Sequence, residues 1–294
     1  SQVPTYLVSK LAKNHVTVSL SGDGGDELFG GYNRYHFADK YWPLINKLPR
    51  FARNRLSSSL NHFQKNSTQG ISKLLKSYFF SPDRLAFPVE KMEKISTIIG
   101  KRSLDEVYLA LTSICQNPAA VLRNDFQEKF IDKEILDISH FQSFGHKMMY
   151  SDTLSYLPDD ILVKVDRAAM AVSLETRVPF LDHRIIDFAW RLDPNLKIRN
   201  GRGKWVLRQV LNKYVPRELV DRPKKGFSIP IDEWLRGPLK DWAGDLLEES
   251  RLNREGFFNA SDLNKKLREH LLGEKNWQHH LWGVLMFQSW LEKN

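Results

Sequence analysis

A short apolar strand that runs directly into a glycine-rich acidic loop sets the strongest limit on how this chain can fold. Residues 16–20 (Val-Thr-Val-Ser-Leu) are rich in β-branched side chains, as expected of a short buried strand. Residues 21–27 follow at once as Ser-Gly-Asp-Gly-Gly-Asp-Glu, and a helix is predicted to begin near Glu27. Ligands of open α/β sheets bind outside the carboxyl ends of strands. The pattern therefore predicts a binding loop at a strand end.

The composition of this loop indicates a site for a phosphate and a divalent cation. Its glycines let the backbone approach a ligand closely, and the free N–H groups of a helix start attract anions. Asp23, Asp26 and Glu27 alone would repel a phosphate, but a bridging Mg²⁺ ion accepts oxygens from both carboxylate and phosphate. It is not a Walker A loop, since no Lys-Ser/Thr pair follows the glycines. A tight turn before a helix start that favours acidic residues is the structural alternative.

Only one convincing strand is predicted in the whole chain, and the rest is expected to be mainly helical. Residues 44–141 give helical patterns with little chemistry, and Pro43 is expected to limit the helix before them. The last region is rich in Trp and Leu and predicts two or three packed helices. Because one strand cannot form a sheet, either its partners lie outside this chain or the fold is nearly all-α.

Residues 150–192 form a second stretch with candidate functional side chains. Glu175 and Arg177 are interpreted as a buried salt bridge at a corner, and Asp182 is expected to cap the next helix. Three further aspartates lie here: Asp159, Asp160 and Asp166. One of them could act as a general base, with helix caps and surface charges as the alternative.

Two lysines next to glycines are candidates for contact with an anion. Lys204 follows Gly203 at a predicted helix start, where a positive charge is unfavourable for the helix dipole unless it faces an anion. Lys225, beside Gly226, lies in a basic loop that could close over a phosphate. A solvated surface lysine is the structural alternative at both positions.

Composition argues against several other classes of protein. The 294 residues carry a formal net charge of +9, but basic residues alternate with acidic ones, so no nucleic-acid partner is expected. The apolar stretches are too short to cross a bilayer, and no signal peptide is expected. A single cysteine excludes an internal disulfide framework. A cytoplasmic protein is therefore the expectation.

Four segments, in this order, resemble the asparagine synthase family. Residues 21–32 read Ser-Gly-Asp-Gly-Gly-Asp-Glu-Leu-Phe-Gly-Gly-Tyr. Residues 165–182 contain Val-Asp-Arg-Ala-Ala-Met and then Ser-Leu-Glu-Thr-Arg-Val-Pro-Phe-Leu-Asp. These two segments are highly specific. The others are Gly203-Lys204 with Leu207-Arg208, and residues 222–227.

The resemblance implies an ATP-dependent amide ligase. In that family ATP adenylates the side-chain carboxylate of aspartate, pyrophosphate leaves, and ammonia made from glutamine displaces AMP. The implied fold is the helical, bundle-like C-terminal part of an adenine nucleotide α-hydrolase-like α/β synthetase domain, with only one or two strands. ATP and Mg²⁺ are the implied cofactors, aspartate, ATP and glutamine-derived ammonia are the implied partners, and a homodimer is left open.

The same resemblance implies roles by motif position. Asp26 would ligate Mg²⁺ on the pyrophosphate, and Lys204 would neutralise charge during adenylation. Asp23 would act near the substrate or the attacking ammonia. The phosphate and substrate pocket would be lined by Ser21, Gly22 and Gly24, with Lys225 closing on the phosphate.

The chain departs from the family pattern at two points. The acidic residue expected five positions before Asp166 is Ile161 here, so the neighbouring Asp160 is the candidate base. The ATP-binding Ser-Gly-Gly-x-Asp-Ser loop and the amino-terminal Cys of the glutaminase domain are not found in this sequence. Residues 1–294 are therefore expected to be a C-terminal portion of the synthetase domain that is inactive alone.

Two other functions stay open from the sequence. A member of the same family could act on another carboxylate, such as a sugar of a surface polysaccharide or a peptide. A non-catalytic basic helical module that binds nucleic acid or a partner protein is the second, and it would show no dependence on Asp26.

Overall fold

The protein is mainly helical with two short strands, as predicted, and its chain forms two compact units. One unit comprises Ser1–Pro49 and Phe130–Ile229, and the other comprises Arg50–Lys129 and Pro230–Asn294. The computed structural model describes residues 1–66, 98–115, 117–123, 141, 143–221 and 228–294. Within these residues no helix is both long enough and apolar enough to cross a membrane.

The two strands of the first unit form a small parallel sheet. β1 (Val18–Leu20) pairs with β2 (Glu175–Arg177), with Ser19 opposite Thr176. β1 lies within the predicted strand, whereas β2 replaces the predicted corner. Arg177 Nε does bond to Glu175 Oε1 at 2.7 Å, but both side chains are exposed, so the expectation of a buried pair is wrong. Alternation along β2 explains this, because Thr176 faces inward and its two neighbours face solvent.

The first unit also contains most of the helices that position the loop after β1. They are α1 (Gln2–Lys13), α2 (Gly25–Phe29), α3 (Asn33–Asn46), α6 (Phe144–Leu154), α7 (Val163–Met170), α8 (His183–Arg191), α9 (Pro194–Lys197), α10 (Trp205–Leu211) and α11 (Arg217–Val220). A π-helical turn, Leu157–Leu162, precedes α7, and a 3₁₀ turn, Pro179–Leu181, follows β2.

Local signals fix several helix ends. The Asp182 carboxylate accepts the Arg184 backbone N–H at 2.9 Å and caps α8, as predicted. The expectation that Pro43 limits its helix is wrong, because α3 continues to Asn46. Trp42 and Ile45 on either side of the proline are buried, so their packing outweighs the one backbone hydrogen bond that proline removes.

The core of the first unit is built around α2. Leu28 and Phe29 of this short helix pack with Ala189 of α8, and all three are buried. Phe180 and Val206 surround this cluster from the turn after β2 and from α10. The packing therefore holds the loop before α2 against two later segments of the chain, and this positions the site described below.

The second unit is helical. It contains α4 (Arg50–Asn66), α5 (Leu104–Thr112), α12 (Ile231–Arg236), α13 (Lys240–Leu246), α14 (Glu249–Glu255), α15 (Ala260–Leu271) and α16 (Gln278–Leu291). Ser103 caps α5 by accepting the Glu106 backbone N–H at 3.1 Å. The C-terminal region is divided into five helices, where two or three were predicted, and Leu263 and Leu281 are fully buried there.

Candidate active site

The glycine-rich loop lies at the carboxyl ends of the two parallel strands. The backbone N–H of Ser21 donates to the Arg177 carbonyl at 2.8 Å, which extends the pairing by one bond beyond the strands. The loop then enters α2, while β2 runs into the turn Pro179–Leu181. Both connections therefore leave the same edge of the sheet, the edge where α/β proteins bind ligands.

Two of the loop glycines are required because the loop packs closely against the turn that follows β2. Gly24 has a left-handed backbone, with φ of 78°, and a Cβ there would lie 2.8 Å from the Leu181 side chain. A Cβ at Gly25 would lie 3.0 Å from the Phe180 ring. The predicted contact of Gly24 with a phosphate is not tested by this geometry, which instead shows that Gly24 lets the two strand-end turns pack together.

Asp26 and Lys204 meet at this edge, which is the central feature of the site. The Lys204 Nζ lies 3.0 Å from Asp26 Oδ2, and both side chains keep 25–30% of their surface exposed. A Cβ at Gly31 would overlap the Asp26 carboxylate and approach Lys204 Cε, so only glycine leaves room for the pair. The structure thus brings together two residues that were chosen separately from the sequence, 178 positions apart by number (204 − 26).

The backbone, rather than the side chain alone, holds Lys204 in place. Its φ of 57° is left-handed, which is strained for a residue with a Cβ. Its N–H donates to the Phe29 carbonyl at 2.8 Å, at the end of α2. A Cβ at Gly203 would overlap the Gly30 carbonyl oxygen. Strained residues held by their surroundings cluster at functional sites, so this conformation supports the choice of Lys204.

Ser21 and Asp23 lie together on the open side of the loop. The Ser21 hydroxyl donates to the Asp23 carboxylate, and the Asp23 backbone N–H contacts Ser21 Oγ at 3.4 Å. Both side chains are half-buried, while Gly22 between them is exposed and would have nothing within 4 Å of an added Cβ. The arrangement leaves backbone at Gly22 accessible next to a carboxylate.

The roles of Asp160 and Lys225, the remaining predicted site residues, are not tested by the structure. Asp160 is exposed on the π-helical turn and interacts electrostatically with Tyr156 and with the α-amino group of Ser1. Short π-helical turns are frequent at functional sites, which agrees with a functional role for Asp160. Its role as a base stays a prediction. Lys225 lies outside the described residues, together with the whole basic segment 222–227.

A buried polar network behind the loop was missed from the sequence. The Tyr32 hydroxyl donates to Glu27 Oε1 at 2.7 Å, and the Arg34 guanidinium lies over the Tyr32 ring at 4.2 Å. Arg34 Nη2 pairs with Asp152 Oδ2 at 2.7 Å, and the same oxygen accepts the Tyr35 hydroxyl at 2.5 Å. This network links α2 and α3 to α6 beneath the candidate active site.

The hydroxyl of Tyr32 connects this network to Glu27. This hydroxyl matters because Glu27 is buried and needs a donor. Burial raises the pKa of Glu27, an effect that the hydrogen bond from Tyr32 partly offsets. Burial, and then the Glu27 charge, raise the pKa of Tyr32. The signal in the sequence was a glutamate directly after Asp26, at a helical position facing the core.

The side-chain oxygens present fit a cation that phosphate oxygens also coordinate, rather than a cation coordinated by protein side chains alone. Among the described residues, no group of three His, Cys, Asp and Glu side chains could hold a metal ion. Mg²⁺ in nucleotide sites takes one or two carboxylates and completes its shell with phosphate oxygens and water. Asp26 supplies one such carboxylate, and Lys204 Nζ beside it would face the same phosphates.

The chain belongs to the asparagine synthase family, whose model matches residues 1–292. It is similar to asparagine synthetase [glutamine-hydrolyzing] 1 of Bacillus subtilis, with 30% identity over 98% of this chain and 42% of the relative. A putative asparagine synthetase [glutamine-hydrolyzing] of Mycobacterium tuberculosis is 31% identical over 98% of this chain and 41% of the relative. The chain therefore spans less than half the length of these two relatives.

The chain is also similar to a protein that is named for a different activity. Amidase chyE of Penicillium rubens is 26% identical over 82% of this chain and 36% of the relative. The similarity therefore supports the family, and leaves the acceptor that this chain serves to be decided by experiment.

Proposed function

We propose that the chain is the C-terminal part of the synthetase domain of an ATP-dependent amide ligase. In the proposed reaction, aspartate becomes asparagine through a β-aspartyl-AMP intermediate, with ammonia drawn from glutamine. The observation that carries the proposal is the pairing of Lys204 with Asp26 at the carboxyl ends of the strands, enforced by glycines and by a strained backbone. Family membership supports the class of reaction.

In the first proposed step, an oxygen of the substrate carboxylate attacks the α-phosphorus of ATP and pyrophosphate leaves. Negative charge shifts onto the leaving phosphates, and positioned cations stabilise it without covalent catalysis. Lys204 Nζ supplies one such charge at a fixed position. When bound, Mg²⁺ neutralises the phosphates as a Lewis acid, and Asp26 is the residue that would hold it.

In the second proposed step, ammonia attacks the acyl carbon and AMP leaves. Asp23 is proposed to act near the substrate or the ammonia, and its half-buried carboxylate beside Ser21 in the loop supports this role. Asp160 is proposed as the base and Lys225 as a phosphate contact on the family pattern alone. The exposed backbone at Gly22 would face the phosphate and substrate pocket.

A second candidate keeps the chemistry and changes the acceptor. The relative named an amidase favours it, since a shared synthetase scaffold can serve another carboxylate. Comparing aspartate with sugar and peptide carboxylates as acceptors, in the full-length gene product with ATP and ammonia, separates the two candidates. Amide formation on aspartate alone supports the first, and formation on another acceptor alone replaces it.

The roles of Asp26 and Lys204 are tested by acceptor-dependent pyrophosphate release from the full-length gene product. Asp26→Asn and Lys204→Ala should each lower the rate by about 100-fold or more, because each removes a charge that acts on the departing phosphates. Lys213→Ala, at an exposed lysine in the turn after α10, serves as the control and should keep the rate. Near-normal rates in either site variant would defeat the assigned roles.

A further inference from the structure

A separate cavity of about 300 Å³ lies in the first unit, between α3, α6 and α9. His36 and Asp39 of α3 line one side, and His146 of α6 with Lys197 of α9 line another. Asn200 at the rim is exposed, so the cavity is reachable from solvent. Its volume lies at the lower end of the range for small-molecule sites.

This cavity is distinct from the candidate active site. Ile198 and Met149 line it, and both side chains also lie against Gly30, at the end of α2. They therefore separate the cavity from the glycine-rich loop and from Asp26. Among the described residues, none that is given a role in the proposed reaction lines the cavity.

The cavity is lined by a buried cation, the ammonium group of Lys197. Lys197 is fully buried, and its Nζ lies 3.1 Å from His146 Nε2 and 4.4 Å from the centre of the Trp190 ring. Among the residues that the structure describes, no carboxylate lies within ion-pairing distance of this Nζ. Burying an ammonium group without an anion is unfavourable, so an anion that entered the cavity would be stabilised beside Lys197.

The neighbouring histidine neither neutralises the positive charge on Lys197 nor carries a positive charge of its own. Burial, and then the Lys197 charge, lower the pKa of His146 to about 4, so its ring is neutral near pH 7. Burial also lowers the pKa of Lys197, to about 8. Lys197 is therefore still mostly protonated at pH 7, and a bound carboxylate would make that protonation more complete.

A carboxylate, that of Asp39, also lines the cavity. The Asp39 carboxylate accepts the Gly145 backbone N–H at 2.6 Å and the Ser143 hydroxyl at 3.2 Å. A polyanion such as pyrophosphate would gain from Lys197 and be repelled by Asp39. A molecule with one carboxylate and one ammonium group offers an opposite charge to each of these two residues.

We propose that this cavity binds a small α-amino acid, whose carboxylate pairs with Lys197 and whose ammonium group faces Asp39. The site is additional to the proposed synthetase chemistry and does not depend on it. The polar groups of Ser143 and Asn200 at the wall and rim offer further hydrogen bonds.

Calorimetry on the unaltered protein tests the proposal without any variant. L-Alanine, L-serine and L-methionine are titrated at pH 8 in two buffers of different ionisation enthalpy. Binding should take up a fraction of a proton, since burial lowers the pKa of Lys197 to about 8 and pairing with a carboxylate favours its charged form. Acetate should bind more weakly and methylammonium should not bind, because each carries one of the two charges. Amino-acid binding without proton uptake, or no binding by any of the three, overturns the proposal.

Variants then assign the two charges. Lys197→Met should weaken amino-acid binding by more than about 10-fold, while Lys213→Met, at an exposed lysine, should leave it unchanged. Asp39→Asn keeps an acceptor for Gly145 and should reduce the preference for L-alanine over acetate. Equal binding to the wild type and Lys197→Met would contradict the carboxylate contact. An undiminished preference in Asp39→Asn would contradict the ammonium contact.

Discussion

Lys204 and Lys197 lie seven positions apart, and the fold treats their charges in opposite ways. Lys204 keeps 30% of its side chain exposed and pairs with Asp26 at 3.0 Å. Lys197 is fully buried and has a neutral histidine and an aromatic ring as its contacts. Lys204 has a carboxylate and solvent beside its ammonium group, whereas Lys197 has neither among the residues that the structure describes.

The two lysines differ in which part of the residue, backbone or side chain, is in an unfavourable state in the folded protein. At Lys204 this part is the backbone, which is held left-handed by its bond to Phe29 and by the fit of Gly203 against Gly30. At Lys197, the last residue of α9, it is the desolvated side chain. A pair such as Lys204 with Asp26 suits phosphates that arrive with a cation, while an isolated cation suits a single carboxylate.

The largest expected effect on stability comes from Gly203→Ala, which attacks the backbone fit behind Lys204. An added Cβ would overlap the Gly30 carbonyl oxygen and lie 3.1 Å from Gly31 Cα. Both obstacles are backbone atoms, so no flexible side chain can move aside. We expect the free energy of unfolding to fall by about 3 kcal/mol or more, measured by urea denaturation.

Gly22→Ala is the matched control, because it changes a glycine of the same site with nothing within 4 Å of the added Cβ. Its free energy of unfolding should stay within about 1 kcal/mol of the wild type. Similar losses in both variants would show that the strand-end loop is sensitive to any substitution, and the special fit of Gly203 would then be wrong.

Lys197→Met should have the next largest effect, and it should depend on pH. The folded pKa is about 8 and the ordinary value is 10.5, so between these values the unfolded chain binds more protons. Wild-type stability should therefore rise with pH across this window, by roughly 1–3 kcal/mol relative to Lys197→Met. Below pH 8 the difference should be constant, because both states hold the proton.

Urea denaturation of wild type and variant at pH 7, 9 and 10.5 measures this difference directly. Lys213→Met, which changes an exposed lysine, shows the background change over the same range. A flat difference between wild type and Lys197→Met would mean that the buried amine does not carry the charge described here, and the contrast between the two lysines would disappear.

The sequence predicted one lysine of this comparison and missed the other for a physical reason. Lys204 follows a glycine at a helix start, so its neighbours along the chain mark it. Lys197 lies in the short helix α9, and its burial is created by Trp190 and by His146 of α6, which no local pattern can show. Long-range packing decides that burial.

The same distinction explains the other successes and errors. The strand before the loop, the Asp182 cap and the mainly helical fold were predicted, because they depend on local propensity and spacing. The pairing of β2 with β1, the helix across Pro43 and the hydrogen bond from Tyr32 to Glu27 were not, because tertiary contacts create them. The site was predicted as a loop with carboxylates, and the structure added its link to Lys204.

The smallest expected effect separates the contribution of the Lys204 ion pair to stability from the cost of its left-handed backbone. Lys204→Ala removes a half-exposed ion pair, so it should lower the free energy of unfolding by no more than about 1 kcal/mol. Lys204→Gly removes the same pair but also relieves the left-handed strain at φ of 57°. The glycine variant should therefore be the more stable of the two by about 1 kcal/mol, the reverse of the usual order in helices. If urea denaturation finds the alanine variant more stable, the backbone at Lys204 is unstrained, and its placement beside Asp26 rests on the ion pair alone.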